Sequence, residues 1–204
     1  MRIPANELFA ALTAISFAAG LNVYATVATL GLLAQAGWMP LPTSLHLIAN
    51  WYVIGCCAAL FLMEFFADKI PVFDLLWNAF QTFVRVPVAA VLAYVATAEL
   101  SPGMRLLATL LGGAIALAAH GGKTAVRAAV TPSPEPISNI SLSLGEDALA
   151  VFLTWIATRH PYWGAAVALV FVVVIVILLR WVVGALRSLL RRAGEEVDLL
   201  VSRS

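Results

Sequence analysis

Of the 204 residues only 11% are charged and 62% are hydrophobic, and the mean hydropathy is +0.96. A soluble domain carries roughly a quarter charged residues because its surface faces water, so this composition excludes a water-soluble globule and points to lipid as the solvent. The formal net charge of +1 excludes the basic face that nucleic acid demands.

Six spans are expected from the apolar runs, each needing about 20 residues to cross hydrocarbon. The first, residues 8–36, is interrupted at Gly20, Leu21 and Asn22. Its length, with Glu7 just ahead of it, speaks against a cleaved leader. The second, 51–67, carries Glu64 and the adjacent Cys56 and Cys57. Neighbours on a helix point about 100° apart, so these two thiols are poorly placed to pair. Residues 72–85 then alternate polar Asp74, Asn78 and Gln81 with an apolar face, the pattern of a helix lying in the interface or dipping partway in. The third span is 87–98, the fourth 104–130 with an interruption at Gly121 and Gly122, the fifth 140–158 and the sixth 162–183. The last residues, from Arg187 through Arg191, Arg192, Glu195, Glu196 and Asp198, read as a surface helix.

Six spans put both termini on one side. Placing them in the cytoplasm gathers Arg2, Lys69, Arg85 and the basic group from Arg180 to Arg192 there and leaves Arg105 and Arg159 outside, as the positive-inside rule requires. Trp163 and Trp181 stand 18 residues apart, about 27 Å of helix, one at each interface.

The two halves share landmarks in order. FAAGLNVYATVAT (17–29) aligns with LAAHGGKTAVRAA (117–129); Pro40-Leu41-Pro42 answers Pro132-Ser133-Pro134. Leu-x-Glu recurs at Glu64 and Glu146, and Arg-x-Pro at Arg85-Val86-Pro87 and Arg159-His160-Pro161. With three spans each, the halves enter the membrane with opposite orientation, as in transporters whose broken helices meet near the midplane. The fold class expected is an all-α polytopic bundle of two inverted three-helix repeats with interrupted helices, over residues 1–100 and 101–184, followed by a cytoplasmic tail at 185–204.

Ionised groups in hydrocarbon cost at least a few kcal/mol each and mark sites or partners. Lys123 and Arg127 therefore should meet Glu64, Glu146 or Asp147 in the bundle interior. A break at Gly121 and Gly122 would expose helix N–H groups beside Lys123, an anion-attracting point. The equivalent break at Gly20 offers Asn22, Tyr24 and Thr26. His120 beside the break is a candidate relay or satisfied polar group; with no second histidine or cysteine at ligand spacing, no metal site is expected. No nucleophile elbow, zinc-protease motif or phosphate loop is present, so no catalytic residue and no cofactor are expected.

The stretches EFFADKIPVFDLLWNAFQTFVRVP (64–87) and HGGKTAVRAAVTPSPEPISNISLSLGEDALA (120–150) resemble the bacterial membrane protein family catalogued as domain of unknown function 4126, most specifically at Asp68-Lys69-Ile70-Pro71 and Ser133-Pro134-Glu135-Pro136. The chain departs from that pattern at Asn22-Val23-Tyr24. The resemblance implies a compact helical membrane module and brings no activity with it. The functional expectation is a multi-pass inner-membrane transporter or channel-like protein for a small solute or ion, whose partners are membrane lipids and that solute, with homo-oligomerisation left open. The rival is a scaffold whose intramembrane charges are structural bolts.

Overall fold

A computed structural model of the chain describes residues 4–39, 41–67, 70–130 and 136–201. All regular structure in these segments is helical: α1 (Ala5–Leu21), α2 (Val23–Gln35), a 3-10 helix (Thr43–Ala49), α3 (Trp51–Ala67), α4 (Pro71–Ala96), α5 (Pro102–Val130), α6 (Pro136–Arg159) and α7 (Pro161–Val201). The landmark residues Pro40, Asp68, Lys69 and Pro132 to Glu135 lie outside the described residues, as does Arg2, and the side chains of Asp74, Arg191, Arg192, Glu195, Glu196 and Asp198 are likewise outside the description.

Large apolar side chains cover the outside. Tyr52, Phe83, Trp163, Val170 and Trp181 are among many exposed ones, a surface a soluble monomer does not carry. The interior is instead small and polar: Gly20, Ala116 and Ala119 let α1 and α5 approach closely, Ala14 lies against Gly164 of α7, and Glu64, Gln81 and Arg85 have no exposed surface. This inside-out composition is that of an integral membrane protein.

Among the described residues, four helical stretches are long and apolar enough to cross a membrane: Leu76–Ala96, Pro102–Arg127, Ile140–Arg159 and Pro161–Trp181. The 3-10 helix and α3, bent by 58° at their junction, qualify only as a pair, with the geometry of a broken span or a re-entrant loop. The run read as a first span does not cross. It breaks at Asn22 into α1 and α2, 17 and 13 residues long, each short of the roughly 20 a crossing needs. The second piece also turns back. One cavity is lined by Leu12 and Ile15 of α1, Leu30 of α2, Ala96 at the end of α4 and Arg159 at the end of α6. Beyond α2, the Ser44 hydroxyl donates to the Val95 carbonyl at 2.8 Å and Leu45 packs against Leu12, Ala93 and Ala108. So α1 and α2 form a hairpin with its apex at Asn22 and both outer ends at one end of the bundle.

This corrects the six-span reading, since four stretches, or five with the bent pair, qualify as spans among the described residues. Glu7 of α1 and Pro161 at the start of α7 flank the same cavity, so α1 and α7 begin at one end of the bundle and α7 runs away from it. A second correction concerns residues 72–85, which do not form a separate interfacial helix. They continue through Pro87 as one 26-residue helix, α4. Its polar stripe of Asn78, Gln81 and Arg85 is buried, which holds it among other helices rather than at a water boundary.

The repeat landmarks fall unevenly. Arg85 is buried in mid-α4, whereas Arg159 is exposed at the last position of α6, so the two Arg-x-Pro elements do not occupy equivalent places.

Candidate functional site

The site begins with one residue. Asparagine competes with the helix through its own side-chain amide and favours helix starts. At Asn22 the backbone is extended (φ −151°, ψ 102°) and the side-chain oxygen accepts from the Ala25 N–H at 2.9 Å, capping α2. The last carbonyls of α1 are thereby orphaned in the middle of the bundle, at the negative end of the helix dipole. Two cations answer them: Arg85 donates to the Gly20 carbonyl at 3.3 Å, and Lys123 to the Leu21 carbonyl at 3.3 Å. Gly20 itself is helical. Its missing side chain is required because a Cβ there would strike the Ala116 backbone and the Ala119 methyl.

Around this apex the charges alternate. Arg85 pairs with Glu64. Lys123 lies 3.4 Å from Glu64 and 3.2 Å from Glu146. Arg127 grips Glu146 by donating from Nη2 to Oε2 at 2.7 Å and from Nε to Oε1 at 3.4 Å, the fork geometry that makes guanidinium–carboxylate pairs strong. Asp147 accepts from the Asn22 amide at 2.9 Å, beside the positive start of α2. Three cations thus stand against three carboxylates, five of the six buried and Glu146 partly so. Spacing explains the convergence: His120, Lys123 and Arg127 recur at three and four residues along α5, as do Asn78, Gln81 and Arg85 along α4, so each set forms one stripe.

His120 joins the two stripes. Its Nδ1 lies 3.0 Å from Arg85 Nη1; a guanidinium only donates, so Nδ1 accepts and the ring proton sits on Nε2. That nitrogen faces the Asn78 carbonyl at 3.1 Å and the Thr82 hydroxyl at 2.8 Å. Gln81 donates to the Tyr24 hydroxyl at 3.2 Å.

All seven charged or polar residues singled out in the sequence (Asn22, Glu64, His120, Lys123, Arg127, Glu146 and Asp147) come together here. The helix break at Gly121 and Gly122 does not occur; α5 is continuous from Pro102 to Val130. Two glycines cost about 1 kcal/mol each in a helix, less than stranding backbone groups in lipid. Gly122 instead makes room for Ile175 of α7. The expected N–H anion site is therefore replaced by a helix end of opposite sign, the carbonyl terminus of α1. Sequence reasoning missed Arg85, which it placed at the membrane face as a topology signal. Its spacing from Asn78 and Gln81 carried the clue.

Three buried polar atoms of this region lack a hydrogen-bond partner among the described residues: Glu64 Oε2, Gln81 Oε1 and Arg85 Nε. Such atoms are costly in a low-dielectric interior and mark places where a polar guest is stabilised. No grouping of His, Cys, Asp or Glu suited to a metal ion occurs among the described residues.

The family model described as Domain of unknown function (DUF4126) matches residues 9–181, most of the chain. The chain belongs to that family. No curated protein and no solved structure matches it.

Proposed function

We propose that this member of the DUF4126 family moves a small ion or polar solute across the membrane, using the charged site at the hairpin apex. One observation carries the reading: a helix broken in mid-bundle turns its carbonyl end toward Arg85 and Lys123, while unpartnered atoms of Glu64, Gln81 and Arg85 lie beside it. Discontinuous helices whose ends meet charges near the midplane are how transporters hold ions and solutes, and intramembrane carboxylates paired with cations suit proton or ion coupling. In this reading Lys123 and Arg127 balance or attract charge, and Glu64 and Glu146 exchange it. The role is not enzymatic. The positive-inside rule places Arg180 and Arg187 on the cytoplasmic side of an inner membrane, and α1 then opens on the far side.

The test is flux into proteoliposomes, reported by dyes for protons, potassium and chloride. Wild type is expected to exceed empty vesicles for at least one of these, and Glu64→Gln and Lys123→Met to lose most of that excess. Equal flux in wild type and both variants ends the site assignment.

A scaffold reading is favoured by the unbroken ladder Arg85–Glu64–Lys123–Glu146–Arg127, which on this view does no more than lock the four helices α3 to α6 together. Under it, wild type carries no flux and each charge deletion acts on stability alone.

A further inference from the structure

A cavity of about 260 Å³ opens where α1 begins, between the arms of the hairpin and the ends of α4 and α6. Its deep wall is aliphatic and buried, with Ile15, Leu30 and Leu92, and its mouth carries Glu7 and Arg159. Neither charge belongs to the buried ladder, and the cavity lies one arm's length from the apex, so it is a separate place on the molecule.

Apolar cavities of even ~150 Å³ stay dry and take up apolar guests, so water gains little here. At the ~30 Å³ that a water takes in the liquid, the space equals roughly eight or nine water-sized groups, enough for a stretch of one acyl chain. A cavity that is oily inside and bears both signs of charge at its lip fits a molecule built the same way. We propose that it binds one acyl chain of a zwitterionic phospholipid or lysophospholipid, with the headgroup phosphate on Arg159 and the headgroup ammonium near Glu7. Arg159 stands at the last position of α6, where a cation is already favoured by the helix end, and with no hydrogen-bond or ion-pair partner among the described residues its guanidinium can fork onto phosphate oxygens. A guest between the arms would also hold α1 and α2 apart at their outer ends, fixing the hairpin from the side opposite its apex. This inference stands independently of whether the buried charges support transport.

The experiment is native mass spectrometry of the full chain released from detergent, titrated with a twelve-carbon lysophosphatidylethanolamine and, as a neutral comparison, a twelve-carbon monoacylglycerol. One equivalent of the lysophospholipid is expected to bind at least tenfold more tightly than the monoacylglycerol. Arg159→Gln, at an exposed position that leaves the fold alone, should weaken it at least fivefold. Ala11→Phe should abolish it by filling the cavity; should that variant fail to fold, Met39→Trp at the half-buried rim narrows the mouth instead. Lipid extracted from protein purified out of its own membrane separates the sources: one retained phospholipid per chain identifies the bilayer lipid, and its absence alongside lysophospholipid binding identifies the free single-chain species. Unchanged affinity in Arg159→Gln, or in both cavity-blocking variants, overturns the proposal.

Discussion

Glu64→Gln strips the charge that Arg85 and Lys123 share. Removing one partner of a buried ion pair costs about 3–5 kcal/mol because the other is left uncompensated. Here the loss should fall near 3 kcal/mol, since Lys123 keeps Glu146 at 3.2 Å and Arg85 keeps the Gly20 carbonyl at 3.3 Å and His120 at 3.0 Å. Arg85→Leu alone should cost a similar ~3 kcal/mol, because Glu64 loses its guanidinium partner and keeps only Lys123 at 3.4 Å. Replacing both, Glu64→Gln with Arg85→Leu, leaves Lys123 and Arg127 facing Glu146 and Asp147 and restores neutrality. What remains is the loss of the Arg85 hydrogen bonds to Gly20 and His120, about 1 kcal/mol each, so the double variant should lie about 2 kcal/mol below wild type rather than 6. The coupling of about 4 kcal/mol is read from a double-mutant cycle, using reversible unfolding in mixed micelles followed by far-ultraviolet circular dichroism. If the single variants unfold within ~0.5 kcal/mol of wild type, or if the double variant equals the sum of the singles, the two groups do not share a dry interior and the reasoning fails.

Four further outcomes follow from the hairpin and the continuous α5. Gly121→Ala should stabilise the protein by up to about 1 kcal/mol, because a Cβ there meets nothing within 4 Å; a clear loss of stability would restore the helix break at that point. Gly20→Val should lose folded protein on size-exclusion chromatography, since the new side chain drives into the Ala116 backbone. Asn22→Ala removes the cap of α2 and the bond to Asp147, and a cost of about 1–3 kcal/mol in the same unfolding assay is expected; a neutral effect would mean the apex is held by other contacts. Sidedness is checked by impermeant thiol labelling of single cysteines in a Cys56→Ser, Cys57→Ser background. Positions 6 and 160 should react from the same side of sealed vesicles and position 187 from the other, whereas a six-crossing chain would expose 6 and 187 together.

Much of the membrane character was legible residue by residue. The scarcity of charge, the apolar runs, and the intramembrane Glu64, Lys123, Arg127, Glu146 and Asp147 needed no coordinates, because an ionised group in hydrocarbon has few places to go except toward its opposite. Asn22 was legible as part of an interruption for a similar reason: its side chain competes with the helix whatever surrounds it. The glycines were not legible in the same way. A glycine between helices and a glycine at a break look alike in sequence, and only the neighbours decide. Gly20 and Gly122 turn out to be clearances for Ala116 and Ile175.

Direction was also beyond local reading. An apolar run of 8–36 is long enough to cross, and nothing within it states whether the chain continues or returns after Asn22. That was settled by where Leu30 and Leu45 find partners, against the outer turns of α1 and α4. Arg85 shows the same limit from the electrostatic side. Beside Pro87 in a weakly amphipathic stretch it reads as an interfacial charge. It becomes a central one because α3 delivers Glu64 and the broken α1 delivers a bare carbonyl to the same spot. Composition and local stereochemistry therefore determine the solvent, the helices and the need for charge pairing. Which charges pair, and which way the first helix turns, depend on contacts between residues distant in the chain, which only the assembled bundle supplies.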